Sequence, residues 1–471
     1  MSRGPKLAKL SRTKTSAQWS ELQRRLGIEL PTVDEVRPQG PLADAIDTSI
    51  GRVGNRFAIL PMEGWDAEPT GHPTDLVERR WRRFGESGAK LIWGGEAVAV
   101  RPDGRANANQ LMLSSDTASA IEGLRRALVR SHEQGAGSTE GLVVGLQLTH
   151  SGRFARPLGE PAPRTAFEHP VLDSRVGATK ACVLSDSEIE DLVATYVSAA
   201  SLAGEMGFDF VDIKHCHGYL LHELLSARTR PGPYGGELSN RTRFLREVVA
   251  GVRSEAPGLG IGVRLSIFDF GPYRSGADGI GEREASETIP FGSSDAENID
   301  LSDADALLTL LGELEIDLVC TSAGSPYYNP HIQRPAFYPP SDGYGPPEDP
   351  LVGVHRQIHA TAQLKKRHPR LKFVGSAYSY LQEWFGHVAE GAVETGATDF
   401  VGLGRMAISY PTLPRDLLEG RAMDRRSICR TFSDCTTAPR NGMISGCYPL
   451  DPFYKKRPEA AQLAAIVART R

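Results

Sequence analysis

Nowhere in these 471 residues does an apolar run approach the roughly 18 residues that span a bilayer, and the first 20 residues lack the apolar core of a secretory signal. No membrane partner is therefore expected, and the expected location is cytoplasmic. Cysteine is scarce: six in so long a chain cannot build a disulfide framework, so reduced thiols are expected unless some of them hold a metal. An excess of positive charge is missing too. With a formal net charge of -4 there is no electrostatic footprint for DNA or RNA. The one basic run, "RGPKLAKLSRTK" at residues 3–14, is short and has no interleaved aromatics, which reads as a solvated tail. What is there is an ordinary globular composition, 40% hydrophobic and 24% charged, long enough for one large domain or two to three ordinary ones. A small-molecule partner fits it best, and a homo-oligomer is compatible with it.

Short apolar runs recur along the chain: "RFAILPM" (56–62), "AKLIWGG" (89–95), "LVVGLQL" (142–148), "FDFVDI" (208–213), "IGVRLS" (261–266), "IDLVCTS" (316–322), "LKFVGS" (371–376) and "DFVGLG" (399–404). Each gives way to a polar or glycine-rich loop and then to a helical pattern. Parallel strands covered on both faces by helices read in this near-continuous apolar way. The helices between them carry start and stop signals. Ser185 and Glu188 have capping-box spacing, Ile189, Leu192, Val193, Tyr196 and Val197 then share a face, and Gly207 ends the run. Val77, Trp81 and Phe84 likewise share one side of a helix that stops at Gly85 and Gly88.

Eight strand-helix units predict an α/β fold of the TIM (β/α)8 type rather than an open doubly wound sheet. Residues 1–50 read as a polar N-terminal extension, 51–420 as the barrel, and 421–471 as a tail with three of the six cysteines, Cys429, Cys435 and Cys447. The long loops 150–184, 267–303 and 323–352 all follow strands, which puts them at the C-terminal face where barrels bind ligands.

Five stretches carry a resemblance: "PM" at 61–62, "EAVAVRPDGR" at 96–105, "GLQLTHSGR" at 145–153, "HGYLLHELLSARTRPGPYGGELSNRTRFLREVV" at 217–249 and "GLGR" at 402–405. From about residue 50 to 420 the chain resembles the Old Yellow Enzyme and 2,4-dienoyl-CoA reductase group of NADH:flavin oxidoreductases, with the motifs in the family's order. The resemblance implies FMN as cofactor, with NADH or NADPH as reductant.

Independently of that name, the loops after strands seven and eight, "GSAYS" (375–379) and "GLGRM" (402–406), have the small residues that let backbone N–H groups approach a phosphate. Ser376, Ala377, Gly404 and Arg405 are the candidates there. Arg264 is a charge in a strand that otherwise reads as buried, which is costly without an anionic partner. The resemblance places it beside N1 and the C2 carbonyl of the flavin; a buried ion pair in the barrel is the alternative. Gln147 can both donate to and accept from the flavin's pyrimidine edge, or be a satisfied core amide. Pro61, Met62 and Ala97 match positions where the family's backbone meets the flavin ring.

At the end of strand four the family has a His and an Asn or His three apart that hold the substrate's carbonyl oxygen, then a proton-donating Tyr. The matching residues here are Lys214, His217 and Tyr219. Lysine is a departure, and it offers a full positive charge to a developing enolate. Period two along the strand puts Asp212 on the face of Lys214, as a carboxylate that would steer it. A metal site at His215, Cys216 and His217 is the rival, weakened because consecutive side chains on extended backbone point in alternating directions. Glu63 is a second departure, standing where the family has Thr or Cys; it is read as a coupled acid/base partner of Lys214 or as turned to solvent. Trp65 matches an aromatic of the substrate pocket.

Cys429, Cys435 and Cys447 are spaced much like the segment that holds a [4Fe-4S] cluster in larger members of the group, but Phe432 stands where a fourth ligand belongs. An iron-sulfur cluster is therefore not expected. The thiols read as packing residues or as part of a zinc site. The expected reaction is hydride transfer from flavin N5 to a carbonyl-conjugated alkene. The alternatives are an oxidative flavoenzyme acting on an amine or alcohol, and a non-catalytic flavin- or metal-binding barrel.

Overall fold

The computed structural model describes residues 5–295 and 298–470. Eight parallel strands form the barrel: β1 (Phe57–Ile59), β2 (Leu91–Ile92), β3 (Val143–Thr149), β4 (Phe210–Ile213), β5 (Gly260–Ser266), β6 (Leu318–Ser322), β7 (Lys372–Gly375) and β8 (Phe400–Leu403). Each coincides with one of the eight apolar runs, β3 and β5 extending one residue beyond theirs. The register runs in chain order, with Ala58 opposite Leu91, Leu91 opposite Val143 and Leu146 opposite Val211, and it closes where Gly402 of β8 meets Ala58 of β1. Eight helices follow the strands: α1 (Asp75–Gly85), α2 (Ser115–Ala136), α3 (Asp186–Glu205), α4 (Arg243–Glu255), α5 (Ser302–Glu313), α6 (Pro350–Arg367), α7 (Phe385–Glu394) and α8 (Leu413–Leu418). This is the (β/α)8 arrangement.

Local rules account for the helix positions. At α3 the Ser185 hydroxyl accepts from the Glu188 N–H at 3.2 Å while the Ser185 N–H donates to the Glu188 carboxylate at 2.8 Å, closing the capping box. Ile189, Leu192 and Tyr196 are buried, and Val193 and Val197 are half-buried. In α1, Val77, Trp81 and Phe84 are buried. Side chains inside the barrel, Trp93, Phe210, Leu318, Val374 and Phe400 among them, form one apolar cluster, and a larger one fills the layer between strands and helices. Trp93 and Phe210 meet edge to face at 5.3 Å, the arrangement that aromatic quadrupoles favour.

The N-terminal extension corrects the reading of a solvated basic tail. Ala8 and Leu10 are buried, and the Ala8 N–H donates to Asp349 at 2.6 Å. Trp19 stacks on Trp384 at 4.7 Å, and the Trp384 indole N–H donates to the Thr13 carbonyl at 3.0 Å. Arg37 pairs with the buried Glu390 of α7 at 2.5 Å. The apolar positions between the lysines and arginines decide the matter, because buried leucine and tryptophan surface outweighs the solvation of interleaved charges that still reach water. Residues 3 and 4 of the run, and 296 and 297 of the long loop after β5, lie outside the described residues. Among the described residues no helix is long and apolar enough to cross a membrane.

Candidate active site

The strand ends and the loops after them enclose a cavity of about 1260 Å³, open mouth included. Leu60 to Glu63 come from the end of β1, Gln147 from β3, Lys214, His217 and Tyr219 from beyond β4, and Arg264 from β5. Ser376 and Ala377 follow β7, and Gly404 and Arg405 follow β8. Trp65 lines it as well. Ala97 is placed differently: it is buried in a short strand, Ala97–Ala99, opposite Gln147, outside the cavity wall, and its carbonyl accepts from Gln110 at 2.9 Å.

The backbone is strained where the cavity is built. Trp65, His217 and Ala377 have φ of 50°, 68° and 73°, left-handed values that non-glycine residues seldom adopt and that concentrate at ligand sites. After His217 comes Gly218 at φ 74°, where a Cβ would lie 2.7 Å from the Tyr328 ring. This double left-handed step turns the chain from β4 so that Lys214, His217 and Tyr219 reach the same space.

Lys214 does not pair with Asp212. Its ammonium lies 3.4 Å from the Glu63 carboxylate and 3.9 Å from the centre of the Tyr219 ring. Glu63 also accepts from the Trp65 indole N–H at 2.9 Å, so it faces the site and not the solvent. Asp212 is spent elsewhere, accepting from the Trp93 indole N–H at 2.6 Å, from the Arg264 backbone N–H at 2.7 Å and from the amide of Gln147. Period two puts Asp212 and Lys214 on one face correctly, but Asp212 is bonded inside the barrel to Trp93 and Gln147 while Lys214 lines the cavity and meets Glu63. Burial pushes the Asp212 carboxyl up to about 6, against the three donors.

The His217 imidazole is 2.8 Å from the Ser322 hydroxyl and 3.3 Å from the Gln333 amide. Burial first, then Arg264 and Lys214, hold it well below the ordinary histidine value, so it is neutral at neutral pH. The Tyr219 hydroxyl is 3.1 Å from that of Tyr327, and burial first, then Glu63, raises it well above the ordinary phenol value. His215 turns away, bonding the Ile213 carbonyl through Nδ1 at 2.9 Å, and burial raises the Cys216 thiol to about 12. Among the described residues, no group of three or more His, Cys, Asp and Glu side chains is placed to hold a metal ion. Cys435 lines the cavity mouth, and Cys447 is raised by burial and then by Cys429 and Cys435, so the three tail thiols are neighbours. Phe432 stacks on Tyr338 at 5.9 Å.

Sequence reasoning missed Tyr327, Gln333 and Arg334 on the loop after β6, and Arg440 on the tail, all of which line the cavity. The run "SPYYNPHIQR" directly after a strand, with adjacent tyrosines and a lone arginine, was the available signal.

Residues 46–302 match the model of the NADH:flavin oxidoreductase / NADH oxidase family, and the chain belongs to that family. It is 34% identical to an NADPH dehydrogenase of Bacillus subtilis over 221 residues, covering 46% of this chain and 60% of the relative. An NADPH dehydrogenase of Clostridium acetobutylicum is 32% identical over 208 residues, 43% of this chain and 57% of that one. The chain thus spans about three-fifths of the curated relatives it matches. Solved structures show the same fold. A 2-naphthoyl-CoA reductase superposes with a TM-score of 0.65 at 19% identity, over 91% of this chain and 58% of that one. Histamine dehydrogenase from Rhizobium sp. 4-9 gives 0.63 at 20%, over 89% and 53%. Morphinone reductase gives 0.55 at 20%, over 81% of this chain and 92% of that one.

FMN and a reduced nicotinamide are characteristic of the family, and the residues present fit FMN. Arg264 and Arg405 both line the cavity, yet the Nε of Arg264 and one terminal nitrogen of Arg405 are buried without a partner. No carboxylate forms an ion pair with either among the described residues. Buried guanidiniums left so are costly until an anion meets them, and FMN brings a phosphate and an electron-rich flavin edge.

Proposed function

We propose that this protein is an FMN-dependent ene reductase, using NADH or NADPH to reduce an alkene conjugated to a carbonyl. One observation carries the reading: a lysine, a neutral histidine and a protonated tyrosine converge on one part of the cavity that Arg264 and Arg405 also line. Bound there, FMN supplies hydride transfer between nicotinamide and substrate. Arg405 with the loops at Ser376, Ala377 and Gly404 would hold its phosphate, Arg264 the flavin's electron-rich edge, Gln147 its pyrimidine edge, and the backbone at Pro61 and Met62 its ring.

The work left to the side chains is to bind the substrate's carbonyl oxygen and to deliver one proton. The Lys214 ammonium and an N–H of the His217 imidazole donate to that oxygen, stabilising the negative charge that develops on it. Tyr219 gives its hydroxyl proton to the α carbon. Tyr327, at 3.1 Å, is placed to return a proton to the Tyr219 oxygen. Glu63 orients Lys214 through their ion pair, while the rings of the buried Tyr219 and the half-buried Tyr327 shield the reacting carbon from water.

Anaerobic half-reactions test this. NADPH or NADH should bleach the bound flavin, and an enone such as 2-cyclohexenone should restore its colour. Bleaching by an amine or alcohol alone, without nicotinamide, would instead make the protein an oxidative flavoenzyme.

A further inference from the structure

The outer part of the cavity holds more positive charge than the proposed reaction uses. Beyond Arg405 its wall includes Arg334, from the loop after β6, and Arg440, from the C-terminal tail. The Arg334 Nε is buried without a partner, and the residue's side-chain bond runs to the neutral hydroxyl of Thr436. Among the described residues no carboxylate pairs with it. Burial first, then Arg405 and Arg440, lower its guanidinium from the ordinary value, as expected of cations facing one another. Arg440 is compensated on one side only, by the exposed Asp342 at 2.6 Å, and donates its other nitrogen to the Pro326 carbonyl at 3.0 Å.

Three guanidiniums against one solvent-facing carboxylate make a positive concavity that focuses on anions. The phosphate of FMN accounts for Arg405. Arg440 is bonded next to Tyr327, whose hydroxyl lies 3.1 Å from that of Tyr219, and Arg334 directly follows Gln333, whose amide lies 3.3 Å from the His217 imidazole. Both arginines border the substrate's end of the cavity.

We propose that Arg334 and Arg440 form a subsite for an anionic group, a carboxylate or phosphate, carried by the substrate away from its reacting double bond. This rests on the enone reading above and narrows it to anionic enones. Planar guanidiniums match both anions with paired N–H donors, which a neutral substrate cannot engage.

The test uses the FMN-loaded protein without nicotinamide, so it needs no turnover and stays interpretable if alkene reduction itself fails. The flavin spectrum is titrated with 4-phenyl-3-buten-2-one and with its para-carboxylate. The carboxylate should bind roughly ten- to a hundredfold tighter, and added salt should erode that preference. Arg334→Gln should abolish the preference while leaving the affinities for the neutral ketone and for FMN unchanged; Arg440→Gln, at the rim, should reduce it. Equal binding of the two ketones by wild type overturns the proposal. So does loss of FMN from Arg334→Gln, which would assign Arg334 to the cofactor's phosphate. Should Arg334→Gln fail to fold, the salt dependence in wild type and the Arg440→Gln titration decide.

Discussion

Lys214 and Glu63 stand 3.4 Å apart across the mouth of the barrel, although 151 positions separate them in the chain. The ion pair fixes the lysine side chain in a largely buried pocket, in the space that His217 and Tyr219 also line. Lys214→Ala is expected to slow the enone-dependent reoxidation of the flavin by about a hundred- to a thousandfold, the usual cost of one donor to a developing oxyanion. Reduction of the flavin by nicotinamide should be nearly unchanged. Lys214→Arg should rescue poorly, because a planar fork does not replace a compact ammonium. Stopped-flow measurement of both half-reactions on folded, FMN-loaded protein checks all three.

Arg264 allows a test with two readouts of opposite sign. Its charge is buried and its Nε has no partner, so Arg264→Met should stabilise the protein freed of flavin, by about 1–4 kcal/mol. The same change should weaken FMN binding at least about tenfold. Calorimetry of the flavin-free protein and fluorescence titration with FMN give the two numbers; a fall in both would make Arg264 a purely structural residue.

Tyr219→Phe should lower alkene reduction by about a hundred- to ten-thousandfold while leaving enone binding in place, since it removes the proton and not the oxygen's donors. Tyr327→Phe should have a smaller effect. Because burial raises the Tyr219 hydroxyl well above 10, the proton remains available across neutral and mildly alkaline pH. His217, held low, stays neutral there, so reoxidation should show no titration between pH 6 and 9 from either group.

Acid should unfold the protein early. Burial lowers His132, His169 and His215 to about 4 and His222 and His331 to about 3. Groups so depressed bind protons in the unfolded chain before they do in the folded one, so their contribution is complete above the unfolded value and is lost as pH falls below about 6.5. Asp212 and Asp269, raised to about 6, and Glu96, raised to about 7, act in the opposite sense but are fewer. The Tm should therefore drop between pH 7 and 5, by thermal melts in matched ionic strength.

With Phe432 in place of a fourth thiolate and stacked on Tyr338, protein prepared without air should contain no stoichiometric iron. Metal analysis giving four irons per chain would reverse that reading of the tail.

The barrel was legible because its strands are buried on both faces and so spell out unbroken apolar runs, each ending at a loop that the long-range closure merely has to gather. Lys214, His217 and Tyr219 were legible because they share one strand end. What escaped was set by contacts between distant segments. Nothing local tells Asp212 to turn to Trp93 and Gln147 instead of to Lys214, two residues along, because barrel layers at different depths draw on different strands. Tyr327 and Arg334 sit on a long loop whose path depends on the tail at Thr436. The basic segment 5–14 misled for the same reason: its burial is decided by a surface more than three hundred residues away.

That last contact bears on how the chain is made. The Ala8 amide meets Asp349, 341 positions further along the chain, and Trp19 waits for Trp384. On a ribosome, the segment carrying Leu10, Trp19 and Leu22 emerges more than three hundred residues before the surface that covers it. At about 5–20 residues per second its apolar side chains would stay uncovered for tens of seconds. Nascent chains should accordingly present this segment to holding chaperones until the seventh and eighth barrel units close beneath it.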